Sequence, residues 1–387
     1  MMNKDYTLEE FKIPSSIDWL DKVNKDLKEI PLESLNWKLD GDEYAPFFMK
    51  GQDEQKNKLT PRVTDSILNF QKYNVEDDSF KEYSLMGLNN GLDGLICEMT
   101  SGSNIKKDLS HILIPHCHLC LSSNTDNLIV SDAYQSYIDS QEIDCNDVRG
   151  LGYWGEVINI DWNKDEFEFN VSLICQILKK NKYRNFRNII IDSGMFVGSV
   201  YSPSEEIGIS LSLMVQMINS LLEEGIELET IASNIFISSK SNTNYFAEIA
   251  KLRAFRILVE SVFNEYDNSI NFLPYFHVEI NVSVEHNYLI HTTEAMSSLL
   301  GGVDSFNITP SSNSNQDRRI AINVMNILKE EAHMDKTNDP SSGSYYIENL
   351  TEKIASNAWG IFKQIEEKGG LEKYTKSGEL RKLILNG

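Results

Sequence analysis

The order of apolar runs predicts an α/β fold: a closed (β/α)8 TIM barrel preceded by an N-terminal helical and extended arm. Three observations carry this expectation. From about Asp65 onward, short strand-like runs alternate with longer stretches of helical spacing, the pattern of parallel strands joined by crossover helices. The strand-like runs number about eight, which suits a closed barrel better than an open, doubly wound sheet. No stretch rich in Pro, Gly or Ser divides the region, so it reads as a single domain.

The arm opens with an amphipathic helix over Ser15–Glu29, where Ser15 and Ser16 supply caps and Ile17, Leu20, Val23 and Leu27 recur at helical spacing. The following stretch, through Leu35-Asn36-Trp37, Pro46-Phe47-Phe48 and the charged run 51–58, is polar and extended, without periodicity. Residues 1–64 are therefore expected to form an arm and residues 65–387 the barrel. Strands are expected at Gly94–Glu98, Ile112–Leu119, Ile189–Asp192, Asn234–Ser238, Tyr275–Val282 and Val303–Ile308, with weaker ones at Glu142–Cys145 and Gly343–Ile347. Helical spacing marks Glu205–Glu224, Tyr245–Phe263, His291–Leu300, Gln316–Glu331 and Thr351–Glu367.

Charge narrows the function. In 387 residues, 36 Lys plus Arg face 58 Asp plus Glu, a formal charge of −22, so nucleic acid and anionic membrane surfaces would be repelled. The start, MMNKDYTLEEF, has no basic segment leading into an apolar core, and the apolar stretch Ile207–Val215 falls far short of the ~20 residues that span a bilayer. Five cysteines, an odd number, suit free thiols in a reducing compartment, and a cytoplasmic location is expected.

Local motifs assemble no active site by themselves. Gly150-Leu-Gly152-Tyr-Trp-Gly155 matches the spacing of a dinucleotide fingerprint. Residues 156–161 read as extended, however, so no helix N-terminus would meet a pyrophosphate. His116-Cys117-His118-Leu119-Cys120 is the densest set of metal-type ligands, with His116, His118 and Cys120 on one face if the segment is a strand. A metal-dependent hydrolase would need further ligands from other strands. His277 begins a suitable later strand, but half-buried His and Cys in a barrel strand is the simpler reading. Lys251, Arg253 and Arg256 sit on one helix with Glu248 and Glu260 at helical spacing, and by themselves read as a solvated ionic stripe.

Several segments, in one order, carry a more specific signal. Asp339-Pro-Ser-Ser-Gly343-Ser344-Tyr345-Tyr346-Ile-Glu348-Asn-Leu350-Thr351 resembles the D-P-x-x-G-S-Y-Y-x-E-x-L-T signature of methylmalonyl-CoA mutases. Lys251-Leu-Arg253-Ala-Phe-Arg256 resembles that family's A-K-x-R-A-x-R helix, and Thr292-Thr293-Glu294-Ala295-Met296 with Gly301-Gly302 and Ser305 resembles its T-x-E-A-M…G-G-x-x-S unit. Trp19, Lys25–Lys28, Leu35–Trp37, Asp40-Gly41 and Pro46 resemble its N-terminal arm, while Trp359 and Gly369-Gly370 fit its closing helix. The resemblance is strongest over Phe186–Gly370 and weak over Lys56–Tyr153. It implies a barrel threaded by the CoA chain, with adenosylcobalamin bound by a further domain in catalytic subunits.

The departures from that pattern define the functional expectation. The cobalamin lower-ligand motif Asp-x-His-x-x-Gly does not occur, and only seventeen residues follow Gly370, so a cobalamin domain is expected to be absent from this chain. In the family, a strand with the context G-Y-H-x-x-E-A-G carries a His that hydrogen-bonds the migrating thioester. Here Met195 stands near that place, and Met cannot donate the bond. The family's H-x-x-T-S strand becomes His277-Val-Glu-Ile280-Asn281. The resemblance thus implies a noncatalytic small subunit of a heterodimeric mutase. No catalytic or cofactor-binding residue would lie in this chain, and adenosylcobalamin would sit in the partner large subunit. The arm, with Trp19, Trp37, Phe47 and Phe48, would either wrap that partner or pack on its own barrel. An active barrel chain served by a separate cobalamin subunit and a metal hydrolase using His116 and His118 are the alternatives.

Overall fold

The computed structural model describes residues 15–45, 59–100, 102–124, 126–154, 164–196, 202–270, 272–281 and 288–386. The chain divides into two compact units, Met1–Gln55 and Lys56–Gly387. In the first, helix α1 (Ser16–Leu27) starts at a capping box. The Ser15 hydroxyl accepts the Asp18 N–H at 3.1 Å, and the Asp18 carboxylate accepts the Ser15 N–H at 3.0 Å. Strands β1 (Trp37–Leu39) and β2 (Asp42–Tyr44) form an antiparallel hairpin closed by Asp40-Gly41. Both turn residues have positive φ, 55° and 80°, as a two-residue primed turn requires. Trp37 stacks on Tyr44 at 5.1 Å across the hairpin. Phe47 and Phe48 lie outside the described residues.

The second unit is a barrel of parallel strands: β3 (Leu68–Asn74), β4 (Gly94–Met99), β5 (His118–Ser123), β6 (Arg149–Tyr153), β7 (Asn185–Arg187), β8 (Ile189–Asp192), β9 (Ile235–Lys240), β10 (Tyr275–Ile280) and β11 (Ser305–Ile308). The hydrogen-bonded order is β7-β6-β5-β4-β3-β11-β10-β9-β8, so the first strand pairs with the last. The two ends of this order, β7 and β8, flank the single residue Asn188. They are two halves of one stave, and the nine segments therefore make an eight-stave ring. At the break, Asn188 Oδ1 accepts the Trp154 indole N–H at 2.8 Å, and Asn188 Nδ2 donates to Asn234 Oδ1 at 3.0 Å. These side-chain bonds replace ladder bonds that the kink removes.

Crossover helices cover the staves: α2 (Phe80–Asn89), α3 (Ile105–Asp108), α4 (Asn127–Ser140), α5 (Lys164–Lys180), α6 (Pro203–Glu223), α7 (Leu228–Asn234), α8 (Tyr245–Tyr266), α9 (Tyr288–Leu300), α10 (Asn315–Asn326, continued by a wider turn over Ile327–Glu331) and α11 (Tyr345–Glu367). Helices α12 (Leu371–Lys376) and α13 (Glu379–Asn386) follow. Among the described residues, no helix is long and apolar enough to cross a membrane. All five cysteines are free thiols, and only Cys145 is exposed.

Six staves fall close to the strands the sequence predicts, and two do not. The segment Glu142–Cys145 is a loop, and the stave nearby is Arg149–Tyr153, inside the glycine fingerprint. Its glycines serve strand packing: Gly150 has φ +154°, and a Cβ there would lie 1.9 Å from the Leu119 carbonyl oxygen. Residues 155–163, where the fingerprint would continue, lie outside the described residues. The expected strand Gly343–Ile347 is instead a turn at Gly343, with φ +81°, leading directly into α11. The eighth stave, β3, is hidden in the sequence because its buried Asn69 and Gln71 break the apolar run. Both are satisfied from α10, where Arg318 donates to Gln71 Oε1 at 3.1 Å. The predicted run from Ile112 starts as a short helical turn at Ile114–His116, and the strand begins only at His118.

Replacing Gly150 by Ala is expected to cost about 2–4 kcal/mol, since the methyl group meets backbone rather than a movable side chain. Urea unfolding at neutral pH checks this.

Candidate functional site

Alternate residues of each stave face the bore, and the rings there are large. Phe70 on β3 lies 5.9 Å from His118 on β5 and 5.8 Å from His277 on β10; Tyr153 on β6 lies 5.4 Å from Phe236 on β9 and 6.1 Å from His277. None of these four contacts joins strands that are neighbours in the sheet, so they run across the bore. Leu68, Ile96, Cys120, Leu151, Ile190 and Tyr275 complete one apolar cluster with them. Each aromatic pair adds about 0.5–1.5 kcal/mol beyond its burial, so the plug is a stabilising core. His277 is fully buried with Nδ1 2.8 Å from Ser305 Oγ, and burial pushes its pKa down to about 3. His118 is pushed down to about 4, by burial first and then by Arg149. Both imidazoles are neutral at physiological pH.

The metal-type cluster does not come together. His116 ends a helical turn, while His118 and Cys120 start a strand at the N-terminal end of the barrel, opposite the mouth where barrel chemistry is usually placed. His118 and His277 each rest on Phe70. Among the described residues, no three His, Cys, Asp or Glu side chains are grouped so as to hold a metal ion.

At the C-terminal mouth, β8 ends at Asp192 and passes into the helical turn Ser193–Phe196, where Met195 is half-buried and Phe196 buried. The turn is locked from below. The Ser193 hydroxyl bonds Glu206 Oε1 at 2.7 Å and the Ser238 carbonyl at 3.0 Å, and the Gly194 N–H donates to Asp192 at 3.1 Å. Burial, reinforced by the Glu279 carboxylate and opposed by Lys240, raises Asp192 to about 6. Ile280, where the family pattern has Thr, is fully buried, and Asn281 accepts the Thr309 hydroxyl at 3.1 Å. The mouth therefore presents carboxyl groups and an apolar thioether, with no histidine on the turn.

The cationic helix corrects its sequence reading. Lys251, Arg253 and Arg256 are not a solvated stripe; all three are essentially fully buried. Arg253 forks to both Asp339 oxygens at 3.1 and 3.0 Å and both Glu348 oxygens at 3.2 and 3.0 Å, and reaches Thr351 at 3.1 Å. Burial works against its charge, but these carboxylates overcome it and raise its pKa. Lys251 bridges Glu206 at 3.2 Å and Glu248 at 2.9 Å, and donates to Ser239 and the Lys240 carbonyl. Arg256 donates to Asp304 at 3.1 Å and to the carbonyls of Pro274 and Gly302, both at 2.8 Å. Only Glu248 was foreseeable from helical spacing; the other carboxylates arrive from distant elements.

Fold and site together define a (β/α)8 barrel whose motif residues brace the outer helices while aromatic rings and histidines from several staves pack against one another in its bore. The sequence pattern of the family described as Methylmalonyl-CoA mutase matches residues 101–386. Over 98% of its length this chain is 28% identical to the methylmalonyl-CoA mutase small subunit of Porphyromonas gingivalis, spanning 67% of that protein. It is 30% identical over 46% of its length to a methylmalonyl-CoA mutase of Rhizobium meliloti, and 28% identical over 51% to the small subunit of Streptomyces virginiae. It spans only 27% and 34% of those two relatives. Among solved structures, Yersinia pestis dihydropteroate synthase aligns with a TM-score of 0.40 at 9% identity, covering 71% of this chain and 98% of that one, a likeness too distant to bear on function. The chain belongs to the methylmalonyl-CoA mutase family.

Substitutions at two positions test the electrostatics. Arg253→Met strands Asp339 and Glu348 without their cation and should lose roughly 3–5 kcal/mol, with little recovery in Arg253→Lys because one ammonium cannot fork to two carboxylates. Asp192→Asn keeps the acceptor for Gly194 but removes the titration. Because the folded pKa is raised above the ordinary aspartate value of 3.8, wild-type stability falls as pH rises through about 4 to 6. The variant should therefore match wild type below pH 4 and become the more stable protein above pH 6, as thermal melts across that range would show.

Proposed function

We propose that this chain is the noncatalytic small subunit of a heterodimeric, adenosylcobalamin-dependent methylmalonyl-CoA mutase, in which the large subunit interconverts methylmalonyl-CoA and succinyl-CoA. The observation that carries this reading is the filled bore. A CoA chain threading the barrel would need the space taken by Phe70, Tyr153, Phe236 and His277. The mouth supports it. Met195 offers no hydrogen-bond donor to a thioester carbonyl, and Asp192 and Glu279 would repel the free carboxylate of a methylmalonyl group. In this reading the cofactor is held by the large subunit, the complex works in the cytoplasm in propionate metabolism, and the arm packs against the partner. The small-subunit names of two relatives agree with it.

Co-expression with a large subunit bearing Asp-x-His-x-x-Gly should yield a stable 1:1 complex by size exclusion. The separate chain should neither retain adenosylcobalamin nor isomerise methylmalonyl-CoA when a free cobalamin-domain protein is added. Turnover in that mixture, or failure to co-purify, would sink the proposal.

A further inference from the structure

The ring of crossover helices has a gap. Helix α3 is four residues long, whereas its counterparts α2 and α4 have 10 and 14. One turn cannot cover the face of α4 beside it, and a cleft of about 680 Å³ opens there, within the range of about 300–1,000 Å³ usual for small-molecule sites. Its walls are Met99 at the end of β4, Ile105 on α3, and Ile129, Val130, Ala133 and Tyr137 at helical spacing on α4. Ile129 stands at the rim, 66% exposed.

The polar groups of the lining are mostly committed to their own backbone. Ser103 accepts the Thr100 N–H, and Asp126 caps α4 by accepting from Leu128 and Ile129. Asn104 accepts from Lys107, and Ser136 and Ser140 donate to carbonyls one turn back. Among the described residues, the lining holds two charged groups and neither is in an ion pair: the Asp126 carboxylate is engaged by the two backbone N–H groups it caps, whereas the exposed Lys106 ammonium has neither an ion-pair nor a hydrogen-bond partner. The cleft thus offers an apolar wall with one unpaired cation on the short helix above it.

We propose that this cleft is a binding site for a medium-chain aliphatic carboxylate, its hydrocarbon chain lying along α4 and its carboxylate paired with Lys106. The chain would bury the apolar face that the short α3 leaves open, and the charge would be matched where the lining has a cation to spare. The site lies outside the bore and does not depend on the catalytic standing of the chain.

Calorimetric titration of the full chain with octanoate and with octylammonium tests this. Octanoate should saturate at one equivalent, with octylammonium at least roughly tenfold weaker because Lys106 repels it. Lys106→Met should weaken octanoate by about tenfold, and Ala133→Trp, which fills the cleft, should abolish binding. Ile129→Glu, at an exposed position that tolerates substitution, should also weaken octanoate and guards against a misfolded Trp variant. Equal binding of the two amphiphiles, no saturable binding, or indifference to the cleft variants would each overturn the proposal. Those last two outcomes would leave the cleft to apolar side chains of another protein.

Discussion

Three cations on one buried helix hold the outer shell of this barrel to its staves. Each of Lys251, Arg253 and Arg256 carries its charge into a region with no water to solvate it, and each can stay charged only because carboxylates and carbonyls from other elements close around it. Arg253 fastens α8 to the turn at Asp339 and to the start of α11. Lys251 fastens it to α6 and to the end of β9, and Arg256 to the entry of β11. Such a set rewards only one arrangement, because a helix displaced by one turn leaves bare charges in the interior. The Lys251–Arg256 and Asp339–Thr351 motifs of the chain thus serve as framework.

That division separates the framework of the barrel from the lining of its bore. The bracing residues sit between the helices and the sheet, on the outer side of the staves, while the plug occupies the inner side. Phe70, Tyr153 and Phe236 pack in the bore around His277 and touch none of the bracing cations. Glu206 is the point where the two systems meet, accepting from Ser193 of the mouth turn and from Lys251 of the brace. The mouth turn can therefore keep its shape while its side chains change.

The barrel was legible in the sequence because parallel strands buried on both faces leave continuous apolar runs, as Ile189-Ile190-Ile191 does. Where polar or flexible residues had tertiary reasons to be in a strand, the reading failed: Asn69 and Gln71 answer to α10, and Gly150 to the Leu119 carbonyl. The cationic helix failed for another reason. Helical spacing reports neighbours three or four residues away, but the partners of Arg253 lie 86 and 95 residues along the chain. The shared motif order linked these segments without revealing that they touch. The plug was illegible because inward and outward faces of a stave cannot be told apart until the ring closes.

That closure has a consequence for how the molecule is made. Strand β3, the first of the barrel to leave the ribosome, pairs with β11, and the stave that completes the other side of the ring is split at Asn188 between two neighbours. The chain up to Arg187 can form a curved sheet of five strands, and the chain from Ile189 a second sheet of four, but neither can hide its inner face alone. Rings such as Phe70 and Phe236 stay open to solvent until the two halves meet. A long wait between first and last strand makes closure a slow, late event, during which each half is a sticky surface seeking the other.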